Sequence, residues 1–150
     1  MVDFMATRLG ETLRKAALLD EAQAWVEAIT PTLQAEIVRD WIQEDQLSRQ
    51  GVDEDGEIIG LYSQATESIT RGRKRAGDKF DLRDTGAFYR SMWVQVLRDS
   101  IIIDADSGKM ENQIWWGDEI LGLTNDNFEK MVFEIAENYV GYVRRVLAID

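Results

Sequence analysis

The sequence predicts an α+β fold: two N-terminal helices, a small antiparallel sheet or hairpin, and a long C-terminal helix packed across it. Three observations carry this prediction. Met5, Leu9, Leu13, Ala16, Leu19, Ala22, Val26 and Ile29 recur at three- and four-residue spacing. Two β-prone runs, MWVQVLRD and IIIDAD, follow one another across Asp99-Ser100. Phe128, Met131, Val132, Ile135, Tyr139, Val143, Val146 and Leu147 draw a long stripe at helical period. The 150 residues, 45% apolar and 30% charged, suit one domain spanning 1–150, with the N-terminal helices as an extension.

The first amphipathic stretch runs from about Asp3 to Ile29, with a predicted interruption near Leu19-Asp20. Thr30-Pro31 has the form of an N-cap followed by proline at the first helical position, and Leu33, Ile37, Val38, Trp41 and Ile42 continue a second helix to about Gln46. In GVDEDGEIIG, Gly51 to Gly60, Asp55-Gly56 predicts a tight turn, with Ile58 and Ile59 beginning a short extended piece or anchoring the loop. Asp53, Asp55 and Glu57 invite a calcium reading, but the later oxygen ligands of an EF-hand loop are missing, so a solvated turn is expected. A polar, basic connector from about Ser63 to Lys79 follows.

In the hairpin, Met92, Val94 and Val96 alternate with Trp93, Gln95 and Leu97. One face should meet the core, and the other, still partly apolar, is a candidate helix-packing or subunit surface. Ile114-Trp115-Trp116-Gly117 sets large aromatics beside a glycine. Thr124 or Asp126 is the expected N-cap of the last helix, and Asp126 with Glu129 has capping-box spacing.

Composition removes several function classes. With no Cys there is no disulfide, thiolate nucleophile or cysteine-ligated metal, and with no His the commonest neutral-pH base and metal ligand are absent. No cofactor or metal site is expected. No segment reads as a secretory leader or a membrane span, so a soluble protein made in the host cytoplasm is expected, without a membrane partner. Seventeen basic against twenty-eight acidic residues give a net charge of −11, which on average repels phosphate backbones. The exception is Arg71-Gly72-Arg73-Lys74-Arg75: a solvated loop balanced by nearby acids, a patch for an acidic protein partner, or a nucleic-acid contact.

The tripeptide Asp84-Thr85-Gly86 is also that of the aspartic proteases. Such an enzyme needs two opposed carboxylates sharing a proton, fed by a buried apolar strand. One copy per chain would require a symmetric dimer, and the approach Gly77-Asp78-Lys79-Phe80-Asp81-Leu82-Arg83 is charged where that strand should be apolar. The better reading is architectural. Asp84 or Thr85 caps a short helical segment, Gly86 bends the chain, Leu82 and Phe88 enter one core, and Tyr89 and Arg90 face outward.

The run Leu82-Arg83-Asp84-Thr85-Gly86-Ala87-Phe88-Tyr89-Arg90-Ser91-Met92 resembles the Leu-x-x-Thr-Gly-x-Leu-x-x-Ser-Ile style segment of tailed-bacteriophage virion morphogenesis, neck and tail-completion proteins, which join head to tail. Leu82, Thr85, Gly86, Phe88, Ser91 and Met92 fill the motif positions, and Asp84 stands within it. At pattern level the likeness covers about residues 70 to 147. The helix from Pro31 and the Gly51–Gly60 loop have no counterpart in the common pattern.

The resemblance implies a non-enzymatic structural virion protein forming a ring of roughly six or twelve copies at the head-tail junction or tail terminus. It would be assembled in the host bacterial cytoplasm against portal, neck or tail proteins, with phage DNA passing without sequence-specific binding. Candidate interface residues are Arg71, Arg73, Lys74 and Arg75, facing acids such as Asp53, Glu54 and Asp55 of a neighbour, and Trp93, Trp115 and Trp116, since tryptophan is a frequent interface anchor. The alternative is an acidic, non-enzymatic adaptor that binds a protein partner through the basic loop. A metal-assisted hydrolase built on the Asp53–Glu57 acids is a weaker third reading.

Overall fold

A computed structural model describes residues 8–110 and 117–148. Two N-terminal helices, α1 (Arg8–Ala16) and α2 (Glu21–Ala28), are separated where the sequence predicts a break. Asp20 makes the break: its Oδ1 accepts from the amides of Ala22 at 2.8 Å and Gln23 at 3.2 Å, an N-cap that starts α2 afresh. Thr30 then caps α3 (Pro31–Glu36), with its Oγ1 accepting from the Leu33 amide at 3.1 Å and Pro31 in the first turn.

The helix does not end at Gln46. It continues to Gln50 as a π-helix, Ile37–Gln50. Under i→i+5 bonding, residues five apart lie nearer one face than they would in an α-helix, and Ile37, Ile42 and Leu47 are all fully buried. In α geometry the same five-residue step would leave successive side chains about 140° apart. The π winding thus lines up a buried column that 3.6-residue periodicity does not reveal. Each of these side chains contributes about 1.5–3 kcal/mol by leaving water. Gly51 ends the helix at φ 63°, donating its amide back to the Gln46 carbonyl. A Cβ there would lie 2.8 Å from the Phe80 carbonyl oxygen, so both the conformation and the close approach call for glycine.

The loop that follows closes as the expected turn. Asp53 Oδ1 accepts from the amides of Asp55 and Glu57, and Val52 pairs with Ile58 in an isolated antiparallel bridge. Ile58 stays exposed, whereas Ile59 packs on the core. The connector contains a short helix, α4 (Gln64–Ile69), capped by Ser63, and a second bridge joins Leu61 to Lys79.

After α5 (Ala87–Ser91) come the strands β1 (Trp93–Val96) and β2 (Ile101–Asp104). They pair antiparallel in the register Trp93↔Asp104, Val94↔Ile103, Gln95↔Ile102 and Val96↔Ile101. The alternation has the expected consequence: Val94, Val96, Ile101 and Ile103 face inward, and Trp93, Gln95, Ile102 and Asp104 face solvent. The chain closes with α6 (Asn125–Leu147), a 23-residue helix packed against the hairpin and running along α2. The core gathers Leu33, Ile37, Ile42, Leu47, Phe88, Tyr89, Met92, Ile120, Leu121 and Met131.

Two local expectations are corrected. Tyr89 does not face outward: it is buried, because its hydroxyl donates to the main-chain carbonyl of Asp81 and so the ring can enter the core with its polar end satisfied. Asp126 and Glu129 do not cap α6. Thr124, the other expected candidate, occupies the N-cap position; its side chain makes no capping bond, and its own amide donates to Gln46 Oε1 of the π-helix. Trp115 and Trp116 lie outside the described residues.

Candidate assembly surfaces

The Thr-Gly segment is held by a clamp around Asp81. Its carboxylate accepts from Lys74 Nζ at 2.5 and 2.6 Å, the Tyr62 hydroxyl at 2.7 Å and the Arg83 amide at 2.9 Å, while Lys74 also donates to the Arg83 carbonyl at 2.8 Å. Burial pushes the Asp81 carboxyl up, but the bonds from Lys74, Arg83 and Tyr62 and the Lys74 charge outweigh it and hold the group below its ordinary value. Burial, reinforced by the Asp81 charge, raises the Tyr89 phenol well above its usual range. Arg83 lies over the Tyr89 ring at 5.7 Å, and Lys74 over Tyr62 at 5.0 Å.

Beyond the clamp, Leu82 at φ 50° and Gly86 at φ 75° bracket Asp84-Thr85 with two left-handed residues, which folds the segment into a bend. Thr85 Oγ1 accepts from the Ala87 amide at 3.2 Å, the side-chain contact expected of either Asp84 or Thr85. Asp84 is exposed. Leu82 and Phe88 enter one core as expected. Ser91 splices α5 to the end of the hairpin, donating to the Phe88 carbonyl at 2.6 Å and accepting from the Asp106 amide at 3.0 Å, and Met92 is buried beside it. The motif residues thus fix α5 and the strands to one another. The cavity of about 340 Å³ beside Thr85 and Gly86, reaching Lys109 and Met110, is open and polar.

The basic cluster divides. Arg71, Arg73 and Arg75 are exposed, whereas the Lys74 side chain is only 15% exposed and is engaged by Asp81. A charge reversal at Lys74 would therefore break the clamp as well as the surface patch. Asp53 uses its carboxylate within its own turn, and among the described residues no group of three or more Asp or Glu is arranged to hold a metal ion. Among the described residues no helix is long and apolar enough to cross a membrane.

An apolar surface feature along α6 was only partly legible in the sequence. Along α6 the inward face carries Asn127, Met131, Ile135 and Tyr142, while Phe128, Val132, Phe133, Tyr139 and Val140 are exposed, Phe133 at 63%. Between this outer stripe, Trp25 of α2 and Ile101 at the start of β2 lies an apolar groove of about 660 Å³. Trp25 forms its wall, fixed by an indole donation to the Leu97 carbonyl at 2.8 Å. The predicted helical stripe included Phe128, Val132 and Tyr139. The groove residues Trp25, Ala136 and Val140, and the neighbouring Phe133, lie off that stripe, and only their proximity in space groups them. A second solvated apolar patch is the outer hairpin face, with Trp93 and Ile102.

The polar joint at the root of α6 was also not anticipated. Gln46 is fully buried, donating to the Gly122 carbonyl at 2.9 Å and accepting from the Thr124 amide and from Asn127 Nδ2 at 3.0 Å each. Asn127 reaches Asp45 as well and accepts from Lys130. Nothing in local sequence pairs Gln46 with a turn some 80 positions away. No known protein family, curated protein or solved structure matches this chain.

Proposed function

We propose that this protein is a structural subunit of a ring at the head-tail junction or tail terminus of a tailed bacteriophage, acting by assembly without a covalent step. The observation that carries the reading is the outer stripe of α6. A 23-residue helix keeps Phe128, Val132, Phe133, Tyr139 and Val140 in water, together with the groove beside them, and contiguous apolar surface of this kind marks a protein interface. The Thr-Gly bend supports it from the sequence side, because Leu82, Phe88, Ser91 and Met92 do the architectural work that the resemblance to neck and tail-completion proteins implies. The net charge of −11 suits a channel through which DNA passes without adhering.

Native mass measurement of the full chain, alone and with portal or tail proteins, tests the reading. Rings of roughly six or twelve copies are expected, and labelled subunits should be found at the neck or tail terminus when virions are imaged. A chain that stays monomeric in both settings and is missing from virions refutes it. The adaptor reading draws on Arg71, Arg73 and Arg75, which remain exposed. Changing these three to Glu, with Lys74 untouched to spare the Asp81 clamp, should leave rings intact if the α6 surface drives assembly. It should abolish capture of an acidic partner if the chain is an adaptor.

A further inference from the structure

We infer that the α6 groove is filled by helix α1 of a second copy of this chain. The inference rests on the self-assembly part of the reading above and not on its virion setting. Helix α1 lies against α6 of its own chain with Gly10 buried, yet Leu9 and Leu13 are 56% and 50% exposed. These two leucines are four apart and so form one ridge, the usual anchor pattern of a helix laid in a groove. Phe128 to Val140 spans about 18 Å of helix and Leu9 to Leu13 about 6 Å, so the ridge fits within the groove.

Charge chooses α1 over the outer hairpin face. Beside the groove the charge is negative on balance: Glu21 and Asp99 against Arg98 lie around Trp25, and Asp126, Glu129 and Glu134 against Lys130 lie around Phe133. In a chain of net charge −11, α1 is locally basic, with Arg8, Arg14 and Lys15 against Glu11 alone. The outer hairpin face instead brings Asp104 beside Trp93, adding negative charge to a negative rim. Opposite signs favour the first pairing and disfavour the second. Because the ridge and the groove are different surfaces, one contact leaves a free ridge on one copy and a free groove on the other. Such a head-to-tail contact propagates into a ring when the rotation closes.

Two surface variants test the assignment. Leu9→Asp/Leu13→Asp destroys the ridge and keeps the groove, whereas Val132→Asp destroys the groove and keeps the ridge. All three positions are exposed, and circular dichroism checks that each variant keeps its helices. In sedimentation velocity and native mass spectrometry, each variant alone should associate at least about 30-fold more weakly than wild type, as loss of an interface anchor does. Mixed, they should form a one-to-one heterodimer that grows no further, because one intact ridge meets one intact groove. A mixture that stays monomeric overturns the inference, as does a wild-type chain that does not self-associate. If Leu9→Asp/Leu13→Asp still forms wild-type oligomers while Val132→Asp does not, α1 is the wrong occupant and the self-assembly reading stands.

Discussion

Asn127 and Phe128 are neighbours in the first turns of α6, and their environments run opposite to their polarity. Asn127 is fully buried and Phe128 is 51% exposed. The amide sits inside because Gln46, Asp45 and Lys130 satisfy it. The aromatic ring sits outside because no part of the described chain covers it. The contrast shows where the subunit completes itself and where it does not. The joint between the π-helix and α6 is closed by groups within the chain, and the stripe one step around the same helix is left for another molecule.

The comparison breaks most severely at the buried column. Leu47→Ala should destabilise the fold by about 3–4 kcal/mol, because a fully buried leucine leaves both lost transfer energy and a cavity. Urea unfolding measures it as a lower midpoint with an unchanged slope. A cost under about 1 kcal/mol would mean that the five-residue column does not pack as described.

Gln46→Leu comes next and tests whether the joint depends on polarity or on shape. The side chain stays large but becomes apolar, so the Gly122 carbonyl and the Thr124 amide lose their Gln46 partner, while the Asn127 amide keeps Asp45. At about 1 kcal/mol or more per orphaned group, a loss of about 2 kcal/mol is expected. Hydrogen exchange should locate the damage, with the amides of the first turn of α6 losing protection before those near Tyr142.

The Asp81 clamp gives a smaller effect with a pH signature. Asp81→Asn should cost about 1–2 kcal/mol near neutral pH, a figure reduced because the carboxylate keeps 28% of its surface in water. The folded value of this carboxyl is depressed, so its contribution is fully present above the unfolded value of 3.8 and is lost as pH falls through the folded value. Wild type and variant should therefore converge in stability once the pH has fallen below the depressed folded value. A difference that persists there would assign the loss to packing around Tyr62 and Tyr89 and not to charge.

These two regions were not equally legible in the sequence. Asp20, Thr30-Pro31, the Asp53–Glu57 turn and the strand pair Trp93–Val96 with Ile101–Asp104 follow from neighbours within a few positions, where caps, turns and alternation act. The Thr85-Gly86 bend was legible for the same reason. The π winding was not, since Ile37 and Ile42 also fit a 3.6-residue stripe and Leu47, five positions on, lay beyond the expected end of the helix. Gln46 and Asn127 were missed because their partners are remote in sequence, and Tyr89 because burial depended on a carbonyl eight residues back. Of the candidate interface, three of the five exposed apolar residues on α6, Phe128, Val132 and Tyr139, were visible as periodicity, but periodicity cannot tell a core face from a subunit face when both are apolar.

The smallest effect on stability is expected where the effect on assembly should be largest. Phe133→Ser removes a ring that is already mostly in water, so the folded subunit should lose no more than about 0.5 kcal/mol. Its unfolding midpoint, measured at concentrations low enough to keep the protein monomeric, should match wild type. At high concentration the two should part, because wild type gains stability from association by mass action and the variant gains less. A concentration-dependent melting temperature in wild type that is flattened by Phe133→Ser would separate a surface kept apolar for a partner from one that is merely tolerated. Equal behaviour at every concentration would return Phe133 to the class of scattered surface hydrophobes and confine the interface to the groove beside it.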